Sequence, residues 1–133
     1  MAMVADASVA LAWFVKAQAS AESDRLLDRA TREAVHVPPL WLAEFVNALI
    51  TLERRKRLPA AEVDEALRAV ADLDIVTERD TAGAAALAGL ARSYALSAYD
   101  ATYLTLAIRL KLPLACKDNS LRAAAARAGV KFA

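Results

Sequence analysis

Residues 96–122, with the sequence LSAYDATYLTLAIRLKLPLACKDNSLR, hold three elements in one unbroken run. The hydrophobic pattern predicts a helix over about 97–110, an apolar strand over about 112–116 and a second helix that begins at 119 or 120. Asp100 lies in the first turn of the first helix, and Asp118 follows the strand. Apolar or small residues flank both, so burying either carboxylate is costly without a partner. We therefore take these two aspartates as the starting point for a functional site.

The composition indicates one compact, helix-rich domain over residues 1–133. The chain is 58% hydrophobic and contains three glycines and four prolines, which argues against disorder. Its length is sufficient to bury a sizeable core. The net charge is +1, from 17 basic and 16 acidic residues. A basic rim around an acidic pocket would give the same total, so the charge neither supports nor excludes a nucleic-acid partner.

The sequence carries no pattern typical of secretion or membrane insertion. Cys116 is the sole cysteine, so no internal disulfide can form and an intracellular location is the default. The apolar run at 9–15 follows Asp6 and has no basic residues before it, unlike a signal peptide. No apolar run reaches the roughly 18 residues of a membrane span, and Glu44 interrupts the nearest one, at 40–52. We expect a soluble, cytoplasmic protein.

Strands and helices alternate along the chain. Short apolar runs predict strands at 2–5, 34–37, 75–77, 112–116 and 130–132. The stretches between them predict helices at 8–15, 20–32, 40–55, 60–73, 80–94, 97–110 and 121–127, with Gly129 as the C′ residue of the last. This order predicts an α/β fold. We expect a three-layer sandwich in which a central parallel sheet of about five strands, in the order 3-2-1-4-5, has helices on both faces.

The predicted topology places a site between strands one and four, where the winding of the sheet reverses. Ligands of such sheets bind outside the carboxyl ends of the strands. Asp6 ends strand one and Asp118 ends strand four, so we expect these carboxylates side by side. Asp100 can face the same edge from its helix N-terminus. We interpret Asp6, Glu44, Asp100 and Asp118 as one acidic pocket.

A divalent cation is the natural occupant of such a pocket. Neighbouring carboxylates repel and raise each other's pKa, and a cation relieves that repulsion. Mg²⁺ and Mn²⁺ prefer oxygen ligands, and the sequence has no set of cysteines and histidines for zinc.

Each acidic residue also has a purely structural explanation. Helix capping is available at three places: Asp6 or Ser8, Ser97 with Asp100, and Asp118 or Asn119. Glu44 can belong to a solvent-facing stripe with Asn47 and Thr51. Capping explains each aspartate taken singly, so the functional interpretation depends on their coincidence in space.

Other reactive or special residues are better explained by structure. His36, the sole histidine, lies on a predicted strand, which argues against Ser-His-Asp catalysis. Cys116 is expected to be a small core residue. The basic run 54–57 closes a helix, where cations favour the helix dipole, and contact with RNA phosphates is the alternative. Four aromatic residues are expected in the core: Trp13, Phe14, Trp41 and Phe45. Two glycines are expected where helices pack closely: Gly83 and Gly89.

Four segments, taken together, resemble a known family. VADAS at 4–8 resembles its opening strand with Asp-x-Ser, and PLWLAEFVNAL at 39–49 resembles its Pro…Glu-x-x-Asn-x-Leu helix. LSAYDATYLTLA at 96–107 is close to its most recognisable segment, and LACKDNSL at 114–121 resembles its Leu-x-Thr-x-Asp-x-x-Leu. In this order and over essentially the whole chain, they are similar to PIN-domain ribonucleases of the VapC type, the toxins of bacterial toxin–antitoxin pairs.

Two departures from the family pattern accompany this resemblance. Cys116 stands where the family often has threonine, which puts a hydroxyl contact near the site in doubt. No second acid follows within two residues of Asp118, so a fifth acidic ligand of some relatives is absent.

The resemblance implies metal-dependent hydrolysis of RNA phosphodiester bonds that leaves 5′-phosphate and 3′-hydroxyl ends. It implies Asp6 and Asp100 as the main ligands of Mg²⁺ or Mn²⁺, with Asp118 completing the site directly or through water. Glu44 would orient or activate water. Five further residues are expected near the ligands or the substrate: Ser8 and Asn47, and, as phosphate contacts, Arg54, Arg55 and Arg57.

The resemblance also implies partners, namely a second copy in a homodimer and a VapB-type antitoxin. The antitoxin would lay a helix or extended tail in a hydrophobic groove, which the 20–32 and 40–55 helices are expected to line, and block the acidic pocket with a basic side chain. The alternative function is a catalytically inert RNA- or protein-binding module on the same fold. A phosphorylation-receiver domain is disfavoured because it needs paired acids after strand one, where the sequence offers only Asp6.

Overall fold

The computed structural model describes residues 1–79 and 82–133. Strands β1 to β4 span Met3–Ala5, Val35–Val37, Ile75–Thr77 and Leu114–Ala115. Helices α1 to α7 span Ala7–Phe14, Ala21–Ala30, Leu40–Arg54, Ala60–Ala71, Ala84–Tyr94, Ala98–Leu110 and Asn119–Arg127, and a 3-10 turn covers Lys16–Gln18. Within this part of the chain, no helix is both long and apolar enough to cross a membrane.

The strands form a parallel sheet in the order β3-β2-β1-β4. This confirms the predicted α/β class and the predicted order of the first four strands. Of about five expected strands, the described residues form four. The fifth is reduced to a parallel bridge between Leu114 and Phe132, at the predicted place beside β4. Two backbone hydrogen bonds form this bridge, from Leu114 N–H to Lys131 O at 2.8 Å and from Ala133 N–H to Leu114 O at 3.1 Å.

Two backbone features shorten β4 from the predicted 112–116 to two residues. Lys111 ends α6 in the left-handed conformation, with φ 56°, and Pro113 has no N–H for the ladder. At the other end, the last bond of the ladder runs from the Asp6 amide to Ala115 O, where β1 turns into α1. A two-residue strand offers little edge for a fifth strand to extend.

Helices cover the sheet in two groups. In the first group α1 packs on α2 and α3, and α3 packs on α4; in the second, α6 packs on α5, α7 and strands β1 and β4. Every residue of β1 is fully buried, as expected for a strand covered on both faces. The predicted aromatic core is confirmed, with Trp41 stacked on Phe45 at 5.0 Å between ring centroids and Phe14 edge-on to Phe45.

The expectation for two of the glycines is wrong. A Cβ added at Gly83 or Gly89 would meet nothing within 4 Å, so neither glycine serves close helix packing. Gly83 instead precedes α5 as its N-cap residue. The predicted 80–94 helix begins at Ala84, and its residues 80 and 81 lie outside the described part of the chain. Gly129 has φ 77° after α7, which confirms its C′ role.

Candidate active site

Asp6 lies where β1 ends and α1 begins. Its Oδ1 accepts hydrogen bonds from the Val9 amide at 3.0 Å and from the Ser8 hydroxyl at 2.9 Å. Asp6 is therefore the N-cap of α1, and Ser8 supports it rather than capping the helix itself. Only 7% of the Asp6 residue is exposed, and in the described residues no hydrogen bond from the protein reaches its Oδ2.

Asp118 lies three residues past the end of β4, at the same edge of the sheet, because β1 and β4 are parallel neighbours. It is the N-cap of α7, and its Oδ2 accepts a hydrogen bond from the Leu121 amide at 2.9 Å. The topology that predicted a site between strands one and four is thus present, with an aspartate after each strand.

Asp100 occupies the first turn of α6, as predicted. Ser97 caps this helix by accepting a hydrogen bond from the Asp100 amide at 3.1 Å. The capping bond holds the backbone of Asp100 in place, and the half-buried carboxylate stands beside the helix N-terminus.

Glu44 comes from the second turn of α3 and meets α6 through Tyr103, a residue not predicted from the sequence. The Tyr103 hydroxyl donates to Glu44 Oε1 at 2.5 Å, and Tyr103 is 2% exposed. An aromatic residue in an apolar helix is typical of a core position, so its pattern alone indicates no polar role. The available signal is its spacing, since Tyr103 follows Asp100 by three residues and shares its helix face.

The pKa values of the carboxyl groups show that the site is electrostatically coupled. The pKa of Asp6 is raised to about 6, chiefly by burial and in smaller part by the charges of Asp100 and Glu44, against the lowering effect of the Val9 and Ser8 hydrogen bonds. The pKa of Asp100 is also raised, first by burial and then by the charge of Asp118, with Ser97 opposing. Asp100 is therefore the common neighbour of Asp6 and Asp118.

Cys116 lies close to the carboxylates and is 3% exposed, which confirms the prediction that it is a core residue. Burial raises the pKa of its thiol to about 12, and the charge of Asp6 is the next cause. Arg122, which no sequence pattern marks out, opposes this rise. Its guanidinium donates to Cys116 O at 3.0 Å and lies 4.1 Å from the centroid of the Phe132 ring.

The donor chemistry of the site fits a hard divalent cation, since the donors are carboxylate oxygens. The hydrogen bonds of Asp6, Glu44 and Asp118 each fall on a single oxygen of the carboxylate. In residues 1–79 and 82–133, however, no three His, Cys, Asp or Glu side chains converge as closely as a ready-made coordination sphere requires. The carboxylates are thus near enough for their charges to raise the pKa values of Asp6 and Asp100, but they are not preformed as a cage.

The other predicted residues are spread around this centre. Asn47 is exposed one turn beyond Glu44, while Arg54, Arg55 and Arg57 are exposed at the far end of α3. At 1.5 Å per residue, Arg54 lies about 15 Å along the helix from Glu44. His36 pairs with Glu78 at 2.7 Å, between β2 and the residue after β3.

The fold and the site together define an α/β domain whose carboxylates gather at the carboxyl edge of a parallel sheet. Residues 3–127 match the model of the PIN domain, and the chain belongs to the PIN domain family. The crystal structure of PAE2754 from Pyrobaculum aerophilum has a similar fold, with a TM-score of 0.70 and 22% identity. The similarity covers 93% of this chain and 79% of that one. No curated protein is significantly similar in sequence. PIN domains are usually nucleases, and PIN nucleases typically use divalent metal ions.

Proposed function

We propose that this PIN domain is an endoribonuclease that depends on Mg²⁺ or Mn²⁺ and hydrolyses RNA phosphodiester bonds. The observation that carries the proposal is the electrostatic coupling among Asp6, Glu44, Asp100 and Asp118. These residues come from four separate helices. At the carboxyl edge of the sheet, the charges of Glu44 and Asp100 raise the pKa of Asp6, and the charge of Asp118 raises the pKa of Asp100. Such a concentration of negative charge is repulsive in the metal-free protein and suits a cation.

Asp6 and Asp100 would be the main ligands. Asp118 and Glu44 would complete the site, and Glu44 would also orient the attacking water. When bound, the cation supplies a water of lowered pKa and neutralises charge on the phosphate. The chain prepares its donors by hydrogen bonding. Val9 and Ser8 hold one oxygen of Asp6, and Leu121 holds one oxygen of Asp118.

Metal binding is the most direct test of the proposed ligands. Calorimetric titration with Mn²⁺ should show binding to the wild-type protein and at least tenfold weaker binding to Asp6→Asn and to Asp100→Asn. Asp72→Asn, at the exposed end of α4, is the matched control and should bind as the wild type does. Equal binding by all four proteins would refute the assignment.

We also propose that the enzyme is the toxin of a type II toxin–antitoxin pair. A surface for an antitoxin is available on α3, where Leu42 is 62% exposed and Ala43 is also exposed near Glu44. An apolar helix or tail placed there would bring a basic side chain within reach of the acidic pocket. Hydrogen exchange of the complex tests this, because protection of residues 20–32 and 40–55 is expected, and no change in either would count against it.

A homodimer is part of the same proposal. Helix α5 consists largely of alanine, leucine and glycine, yet none of its residues is buried in the single chain. A second copy would cover this surface. Sedimentation velocity should show a dimer for the wild type and a monomer for Ala88→Arg, since an arginine on the exposed face would be desolvated in the interface.

The alternative function, a catalytically inert RNA- or protein-binding module, is favoured by one observation. Asp6 and Asp118 serve as helix caps and so have a structural use. The two functions make opposite predictions for asparagine, which caps as well as aspartate does. If the carboxylates are only caps, the wild type should cut no RNA, and Asp6→Asn and Asp118→Asn should bind Mn²⁺ and RNA as the wild type does.

A further inference from the structure

The phenol of Tyr103 joins two helices of the site. Its O–H leaves α6 and donates to Oε1 of Glu44 on α3, at 2.5 Å. A phenol has a single hydrogen to donate. Here that hydrogen is committed to Glu44, and the side chain around it is 2% exposed.

Glu44 depends on this bond for its orientation. In residues 1–79 and 82–133, no other hydrogen bond or ion pair reaches its carboxylate. A glutamate side chain has three rotatable bonds and loses much freedom when held in one geometry. The charge of Glu44 nevertheless raises the pKa of Asp6, at the start of the neighbouring helix α1. The carboxylate of Glu44 must therefore be held toward Asp6, and the Tyr103 hydroxyl is the group that contacts it.

Packing of the core accounts for the ring of Tyr103 but not for its hydroxyl. Phenylalanine would fill the same buried volume without needing a polar partner. The hydroxyl is placed where its hydrogen meets the carboxylate of Glu44.

We propose that Tyr103 is a positioning residue, whose hydroxyl holds the carboxylate of Glu44 in the orientation from which Glu44 serves the metal site. The inference rests on the proposed function, because it gives Glu44 a task at a bound cation. It adds a residue that touches neither the ion nor the RNA and acts only through Glu44.

The test compares Tyr103→Phe with Tyr94→Phe. The first removes the hydroxyl and keeps the buried ring. The second removes a phenol hydroxyl from α5, away from the carboxylates, and is the matched control. Calorimetric titration with Mn²⁺ should show about tenfold weaker binding for Tyr103→Phe only, the usual cost of losing a group that orients a ligand. Its kcat on RNA should fall by a similar factor with KM unchanged, because Tyr103 does not reach the substrate.

A double-mutant cycle shows whether the effect passes through Glu44. In a Glu44→Ala background, Tyr103→Phe should cause no further loss of Mn²⁺ affinity, since the hydroxyl has nothing left to hold. An equal loss in both backgrounds would overturn the inference. If Glu44→Ala binds too little Mn²⁺ to measure, the comparison of Tyr103→Phe with Tyr94→Phe decides, and equal affinities of these two would overturn it.

The two ways of failing are distinguishable. A wild-type protein that neither binds Mn²⁺ nor cuts RNA would overturn the proposed function and this inference with it. A wild-type protein that does both, with Tyr103→Phe behaving like Tyr94→Phe, would overturn the positioning role alone.

Discussion

Asp6 is a carboxylate whose folded environment disfavours its charge. Burial raises its pKa from 3.8 to about 6. The folded protein therefore binds this proton more tightly than the unfolded chain does. The stability contributed by the proton is full below pH 3.8 and is lost as the pH rises toward 6. By the pKa difference, the loss amounts to about 3 kcal/mol in the metal-free protein.

We expect Asp6→Asn to stabilise the metal-free protein at neutral pH while abolishing nuclease activity. Asparagine keeps the cap acceptor for the Val9 amide and carries no charge to desolvate. Urea unfolding in EDTA should give the variant an advantage approaching about 3 kcal/mol at pH 7.5 and almost none at pH 4. An advantage that does not change with pH would contradict the raised pKa. Saturating Mg²⁺ should reverse the order by stabilising the wild type alone.

At the scale of single residues, chain topology predicts more than local pattern does. Topology places Asp6 and Asp118 together because each follows a strand, and those strands are neighbours in a 3-2-1-4 order. The local sequence pattern explains each of these aspartates equally well as a helix N-cap, and in the structure both are N-caps. The role of Tyr103 is not predictable in this way. Its hydroxyl lies in an apolar helix, and its polar partner comes from a second helix, α3, that is distant in the sequence.

Helix α7 offers a way to separate capping from catalysis. Asp118 caps it through a 2.9 Å bond from the Leu121 amide. We expect Asp118→Ala to destabilise the fold by about 1 kcal/mol and Asp118→Asn by much less, because asparagine is as good an N-cap. Both variants should lose RNA cleavage. The measurements are urea unfolding and the rate of RNA cleavage. An Asp118→Asn protein that still cuts RNA would show that Asp118 serves only as the N-cap of α7.

Helix α3 carries the second element-scale prediction, for the basic residues at its end. Arg54, Arg55 and Arg57 are exposed at the end of α3, and Arg54 lies about 15 Å along the helix from Glu44. This is too far to reach the reacting phosphate and near enough to contact neighbouring ones. Changing all three to glutamine should raise KM and leave kcat unchanged. The slope of log affinity against log salt should flatten by about 0.7 for each RNA phosphate that the variant no longer neutralises.

The control for this prediction is a triple variant with the same net charge. Arg32, Arg68 and Arg92 lie on or beside other helices, and glutamine at these positions should leave KM and the salt slope near the wild-type values. If both triple variants change KM equally, only the overall charge matters, and the run at the end of α3 makes no specific contact with RNA.

Among the elements, periodicity places every strand and α-helix that the structure describes but not the 3-10 turn at Lys16–Gln18, and the ends of the elements are less predictable. The 112–116 strand shrinks to Leu114–Ala115 because Lys111 adopts a left-handed conformation and Pro113 cannot donate. The fifth strand becomes a bridge for the same reason. The prediction for Gly83 and Gly89 is wrong because a glycine in a helical pattern does not reveal whether a neighbouring helix approaches it.

For the whole molecule, the sheet is the framework that makes a site. Four short parallel strands bring aspartates from residues 6 and 118 to a shared edge, and α3 and α6 add Glu44 and Asp100 from above it. The fold class and this juxtaposition follow from the alternation of strands and helices. The closeness of the carboxylates does not, because it depends on how α3 and α6 are each placed beside the edge of the sheet, and no sequence pattern encodes that distance.

The central claim is that these carboxylates form one metal-dependent nuclease site. The most direct measurement is the cleavage of a mixed RNA pool by purified, partner-free protein, with Mg²⁺ or Mn²⁺ and again with EDTA, beside folded Asp100→Asn. We predict cleavage by the wild type that requires the metal and is lost in the variant. Cleavage that survives EDTA or Asp100→Asn would contradict the claim. So would a folded wild-type protein that cuts nothing and gains no melting temperature from the metal.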